Sequence, residues 1–179
     1  MTNNIVKGLA VLLGLTALIV GALAWVYDAT RERIDTNRNQ AFWKEAESLA
    51  NDTTLRDYLE RPTLTSSVRL QDDRRLGLAR TTGYGGSIDL MILLNADGSI
   101  AGVRTLRHAE TPGIGDFIDG DTPIDGNTPI NGNTPWMRQF RGLDATDLPD
   151  IDGRTGATIT VDAIRQGVKT FVENSGGSA

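Results

Sequence analysis

The chain has 179 residues, 39% of them hydrophobic and 23% charged, which suits one packed domain with accessory segments and argues against wholesale disorder. Its formal charge is −5 and no basic cluster occurs, so nucleic acid is excluded as an expected partner. Cysteine is absent and His108 is the only histidine, which excludes disulfides, thiolate nucleophiles, Cys-ligated zinc, iron–sulfur clusters, c-type haem and bis-His haem; any redox chemistry must sit on an organic cofactor.

Residues 8–27 run twenty positions without a charge and are rich in Leu, Val, Ile, Ala and Gly, the length needed to cross a bilayer as a helix. Lys7 can snorkel at one end, while Trp25 and Tyr27 suit the interface at the other. Ala10, Gly14, Ala17 and Gly21 form a small-residue stripe of the kind that admits a neighbouring helix, though small residues are common in any spanning helix. A signal peptide cleaved after Ala22-Leu23-Ala24 competes with an anchor, but the apolar run is long and continues through Trp25 and Val26. An anchor is the favoured reading, with residues 1–7 on the cytoplasmic side. Lys7 before the span and Arg31 and Arg33 after it leave the positive-inside rule undecided. The expected location is the inner (cytoplasmic) membrane, crossed once, with the soluble domain on the periplasmic or extracytoplasmic side.

Residues 28–62 read as a helical stalk, with Ile34, Ala41, Phe42, Ala46 and Leu49 at helical spacing, an interruption at Asn51–Thr54 and Pro62 as its stop. A domain is expected over 63–174, although residues 63–82 show no period. Ser87–Leu94 and Ile100–Leu106 flank Asn95-Ala96-Asp97-Gly98 and predict a β-hairpin, with Ile100, Gly102 and Arg104 on one face and Ala101, Val103 and Thr105 on the other. The following loop, 107–116, carries Pro112, Gly113 and Gly115 and is expected to be irregular. Residues 118–135 repeat a hexapeptide three times (Ile-Asp-Gly-Asp-Thr-Pro in the first copy) and read as a chain of turns. Asp119, Asp121 and Asp125 lack EF-hand spacing and a closing Glu, so a duplicated loop is preferred to a metal site. A short helix is expected over 136–140, and a last helix from Val161 to about Glu173, with Thr160 as N-cap and Ile164, Val168, Phe171 and Val172 on its packed stripe. Residues 175–179 read as a flexible tail. The fold class is α+β: an antiparallel sheet packed by amino- and carboxy-terminal helices, preceded by one transmembrane helix.

The stretch Asp152-Gly153-Arg154-Thr155-Gly156-Ala157-Thr158 precedes that last helix. Gly156 permits close backbone approach, the helix start offers unpaired N–H groups, and Thr158 supplies a hydroxyl beside this anion-friendly place. It is not a P-loop, since Gly-Lys-Ser/Thr is missing. On spacing alone an ordinary turn before a helix is the better reading. No catalytic residue is assigned, because base, metal set and activated nucleophile are all lacking.

Asp152-x-x-Thr155-Gly156-Ala157-Thr158 resembles the flavinylation motif of the FMN-binding domain family. Gly83-Tyr84-Gly85-Gly86-Ser87-Ile88 and His108-x-Glu110-Thr111-Pro112-Gly113-Ile114-Gly115-Asp116 are similar, in order and spacing, to the G subunit of Rnf-type electron-transport complexes. The C subunit of Na⁺-pumping quinone reductases shares much of this pattern. The hexapeptides look like an insertion, and position 114 is Ile where these relatives usually have Leu. The resemblance implies FMN held covalently by a phosphoester to Thr158 and attached by a separate FAD:protein FMN transferase, with Asp152, Thr155, Gly156 and Ala157 shaping access. It further implies that Glu110, Thr111, Pro112, Gly113, Ile114 and Gly115 border the flavin ring. His108 is a candidate proton donor to it, with capping of its own loop as the preferred alternative. The implied role is an electron-carrying subunit, without catalysis of its own, working among other membrane subunits in ferredoxin:NAD⁺ electron transfer coupled to ion translocation. The competing readings are an extracytoplasmic, membrane-tethered sensor or binding domain without redox activity and the C subunit of a Na⁺-translocating NADH:quinone reductase.

Overall fold

The computed structural model describes residues 2–64, 66–119, 136–151, 153 and 155–176. Helix α1 (Thr2–Ala50) is followed by a single turn of helix, α2 (Leu55–Tyr58), four strands, β1 (Ser67–Arg69), β2 (Arg75–Thr82), β3 (Ser87–Leu94) and β4 (Ile100–Arg107), and the last helix α3 (Thr158–Gly176). The chain divides into two units, 1–41 and 42–179. In the first, the helix is long and apolar enough to cross a membrane, and side chains such as Leu9, Leu13, Leu18 and Leu23 are exposed along it, as a lipid-facing or signal helix requires.

The second unit is built on the sheet β1-β2-β3-β4, antiparallel throughout. β3 reads Ser-Ile-Asp-Leu-Met-Ile-Leu-Leu and is buried almost without alternation because both faces of the sheet are covered. Ile88, Leu90, Ile92 and Leu94 join one core with Val161, Ile164, Val168 and Phe171 of α3. Met91 and Leu93 point the other way and pack with Leu76, Leu78, Leu55 and the Phe42, Ala46, Ala50 stripe of α1. The amino- and carboxy-terminal helical segments thus sandwich the sheet, as the α+β reading expected. Ile34 and Ala41, predicted on the packed stripe, are exposed; burial starts at Phe42.

The hairpin forms where predicted, with Gly98 at φ 89° in its turn. Its facing pattern differs. Leu94 pairs with Ile100 but Leu93 with Gly102, so Ala101 is bulged out and the alternation reverses after Ile100. Ile100 and Val103 therefore share the α3-side core, whereas Arg104, opposite Met91, is buried on the α1 side and ion-paired to Glu45. The exposed edge of β4 is closed by residues 140–143, where Gly142 N–H donates to Ile100 O (2.7 Å) and Ile100 N–H to Leu143 O (2.8 Å).

Strands β1 and β2 occupy the segment that showed no period. Gly77 explains part of that silence: a Cβ there would sit 2.3 Å from the Phe171 ring, so the strand keeps a bare position to let α3 lie down. The 136–140 helix is a 3-10 turn (Met137–Phe140), its Trp136 and Phe140 rings edge-on at 5.4 Å. Helix α3 begins three residues before the expected Val161 and continues through Ser175 and Gly176, which belong to the helix rather than to a tail. Ser175 is buried and its carbonyl accepts from Arg75. The hexapeptide repeats fall almost entirely outside the described residues.

Across the sheet, Asp89 takes a two-point contact from Arg80 (2.6 and 3.0 Å) and a third from Arg107 (3.2 Å). The Arg80 hydrogen bond, with the charges of Arg80 and Arg107, holds its carboxyl below the usual carboxylate value despite the opposing effect of burial. A depressed folded-state pKa means stability that is fully present above the unfolded value of 3.8 and is lost as pH falls through the folded one. Urea titrations between pH 5 and pH 2 are expected to show a loss on the order of 1 kcal/mol that Asp89→Asn abolishes. An unchanged acid limb in that variant would contradict the assignment.

Candidate functional site

A cavity of about 450 Å³ opens between the β2–β3 turn, the loop after β4 and the start of α3. Tyr84, Glu110, Thr111, Ile114, Gly115, Gly156, Ala157, Thr158, Ile159 and Thr160 line it. Each wall has a local reason. The Gly83–Gly86 turn is closed by Gly83 N–H donating to Gly86 O at 2.8 Å, with Gly86 at φ 139°. The loop after β4 turns at Thr111, whose carbonyl accepts from Ile114 and Gly115 N–H (3.1 and 2.9 Å), with Gly113 at φ 79° between them. Gly156 at φ 84° redirects the chain into α3.

Glu110 ties the three walls together. Its side chain is 6% exposed; Oε1 accepts Gly85 N–H at 3.1 Å and Oε2 accepts the Thr160 hydroxyl at 2.6 Å. Glycines crowd round it: a Cβ at Gly83 would lie 2.2 Å from Oε1, and one at Gly115 would lie 2.7 Å from the Glu110 Cβ. These glycines make room for a buried carboxylate. Thr160, expected to cap the last helix, is instead inside its first turn with its hydroxyl given to Glu110.

Ala157 precedes the helix and its carbonyl accepts Val161 N–H at 3.0 Å, but its side chain has no oxygen to cap with. The first-turn N–H groups of Thr158, Ile159 and Thr160 have no carbonyl partner within the helix, and the helix dipole adds positive potential there. The Thr158 side chain is exposed in this place, at the cavity. Tyr84 (73% exposed), Ile114 (51%) and Ile159 (55%) leave large apolar side chains uncovered around the opening.

The structure brings Thr158, Gly156, Ala157, Glu110, Thr111, Ile114 and Gly115 together at one cavity. Pro112 and Gly113 shape the loop without lining it, and Thr155 is exposed beside Gly156. Asp152 lies outside the described residues. His108 is not on the cavity wall: Nδ1 accepts the Glu110 N–H at 3.1 Å and Nε2 lies 3.7 Å from Asp119 Oδ2, the geometry of a residue that caps its own loop. Tyr84, Ile159 and Thr160 line the cavity although the sequence reading assigned them no part; the Tyr between glycines was the one available signal.

Apolar walls at one part of a concavity and the N–H groups of a helix start at another suit a ligand with an apolar part and an anionic group. An FMN-binding domain family model matches residues 83–173. The G subunit of the ion-translocating oxidoreductase complex of Shewanella loihica is 30% identical over 94% of this chain and 88% of its own length, and its counterpart in Vibrio cholerae 28% over 97% and 91%. Against the G subunit of Buchnera aphidicola the identity is 35%, over 50% of this chain; there the match spans only 45% of the relative's length. The chain belongs to the FMN-binding domain family, alongside the G subunits of ion-translocating oxidoreductase complexes.

Proposed function

We propose that this chain is a membrane-anchored electron-carrying subunit of an ion-translocating oxidoreductase complex and holds FMN through a phosphoester to Thr158. The observation that carries the reading is the Thr158 hydroxyl on the first turn of α3, at a cavity with an apolar rim. The residues fit the group: the start of α3 would hold the phosphate, and the apolar edge of the ring would lie against Tyr84, Ile114 and Ile159. A volume of about 450 Å³ lies within the range of small-molecule sites. Attachment forms the Thr158 Oγ–phosphorus bond, breaks the anhydride bond of FAD and releases AMP and the hydroxyl proton; a separate FAD:protein FMN transferase performs it. Thr155, exposed and off the cavity wall, together with Asp152, serves recognition by that transferase. Bound FMN supplies reversible electron transfer. The chain's own residues place it: α3 fixes the phosphate, Glu110 fixes the walls, and the rim excludes water from one part of the ring.

The apolar helix anchors the chain in the cytoplasmic membrane, with the soluble domain on the periplasmic or extracytoplasmic side and other membrane subunits as neighbours. Ferredoxin-to-NAD⁺ electron transfer coupled to ion movement is the reaction to which the chain contributes. Intact mass of the chain purified from its own membranes is expected to exceed the sequence mass by one FMN phosphoester. A bare mass, found while the transferase is active on another substrate, would leave only a tethered binding domain.

A further inference from the structure

Glu110 is the one charged residue among the described residues that line the cavity, and it is buried. Both of its oxygens are held by donors, Gly85 N–H and Thr160 Oγ–H, so the carboxylate is held between the β2–β3 turn and the first turn of α3. No Lys or Arg contributes to that lining among the described residues. The remaining wall of Tyr, Ile, Thr, Gly and Ala offers no cationic side chain to offset that charge, and where the cavity is shut off from water Coulomb interactions are stronger than in bulk solvent.

We infer that Glu110 is a positioning residue whose negative charge sets the reduction potential of the flavin low, beyond its part in joining the cavity walls. This rests on the FMN reading above. Uptake of two electrons and one proton leaves a flavin ring with one more negative charge than before, and a neighbouring fixed carboxylate disfavours that gain.

The test uses the full-length chain produced with an active FAD:protein FMN transferase. Intact mass reads attachment, and a dithionite titration against a reference dye reads the midpoint potential. Glu110→Gln, which keeps the shape and removes the charge, is expected to retain flavin and to favour the reduced ring about tenfold, ~30 mV more positive for a two-electron couple. Glu110→Asp keeps the charge and should stay near the wild-type potential. Thr160→Val removes a donor but not the charge and should not raise it. Should Glu110→Gln take up no flavin, the double variant Glu110→Ala with Thr160→Ala, which removes the carboxylate together with the hydroxyl that donates to it, carries the same expected rise.

An unchanged potential in a flavin-loaded uncharged variant overturns the inference. So does loss of attachment in both uncharged variants with attachment kept in Glu110→Asp, which would assign the carboxylate to flavin transfer. Loss in all of them would make Glu110 a structural brace only. A wild-type chain without flavin would instead sink the FMN reading itself.

Discussion

Thr158→Ala is expected to yield a folded chain that carries no covalent flavin. The two halves of that outcome have separate causes. Thr158 is exposed and opens α3, and Ala is the better helix former, so unfolding in urea should move by no more than ~0.5 kcal/mol. The hydroxyl, however, is the only atom of the side chain that can accept a phosphoryl group. Thr160, two residues on, cannot replace it, because its oxygen is buried and committed to Glu110 at 2.6 Å. Thr155 carries another hydroxyl nearby, but lies off the cavity wall. Thr158→Ser keeps an oxygen at the same place and is expected to take up flavin, more slowly than the wild type if the lost methyl group loosens the rotamer. Intact mass and flavin fluorescence in a denaturing gel read all three chains. A flavin-sized increment persisting in Thr158→Ala would move the acceptor elsewhere and detach the functional reading from the start of α3.

How much of this could be read from the sequence depended on whether one residue's neighbours or the whole fold decided its role. The hairpin, the C-terminal helix and the apolar amino-terminal helix announced themselves through local periodicity, and each formed close to where it was placed. Strands β1 and β2 did not, for two reasons. β1 has only three residues, and β2 interrupts its apolar run with Gly77, which answers to Phe171 far along the chain. The reversal of facing in β4 depends on a bulge at Ala101 that alternation cannot announce. At the site, Thr158 and the 110–115 loop were legible as motifs. Thr160 was misassigned as a cap because sequence rules look for a hydroxyl near a helix start, and nothing local says that a carboxylate fifty positions earlier has claimed it. His108 and Glu110 exchange prominence for a similar reason: the imidazole, which suggests proton chemistry, accepts a backbone N–H of its own loop off the cavity wall, and Glu110, two residues on, lines the cavity.

Gly85→Ala is expected to be the most disruptive glycine-to-alanine change among the described glycines of the domain. An ideal Cβ at Gly85 would stand 1.9 Å from Ala109 O, 2.7 Å from Ala109 C and 2.9 Å from Glu110 Cα, all of them backbone atoms. No side chain can swing aside, so the β2–β3 turn must lift off the loop after β4. That movement also breaks the Gly85 N–H···Oε1 bond and leaves one oxygen of a buried carboxylate unmet. Overpacking costs ~1–3 kcal/mol and a lost hydrogen bond to a charged group about as much; because one movement relieves the first while causing the second, the two will not add, and a loss of ~3 kcal/mol is expected. Gly98→Ala supplies the comparison. Gly98 has a φ of 89° but open space around its Cβ direction, so only the left-handed backbone is penalised, at ~1–2 kcal/mol. Urea midpoints should fall in that order, with Gly85→Ala also taking up less flavin and Gly98→Ala as much as the wild type, since the hairpin turn is not part of the cavity lining. Equal midpoints for the two variants would mean that the turn does not press on the Ala109–Glu110 backbone, and the joining of the cavity walls through Glu110 would go with it.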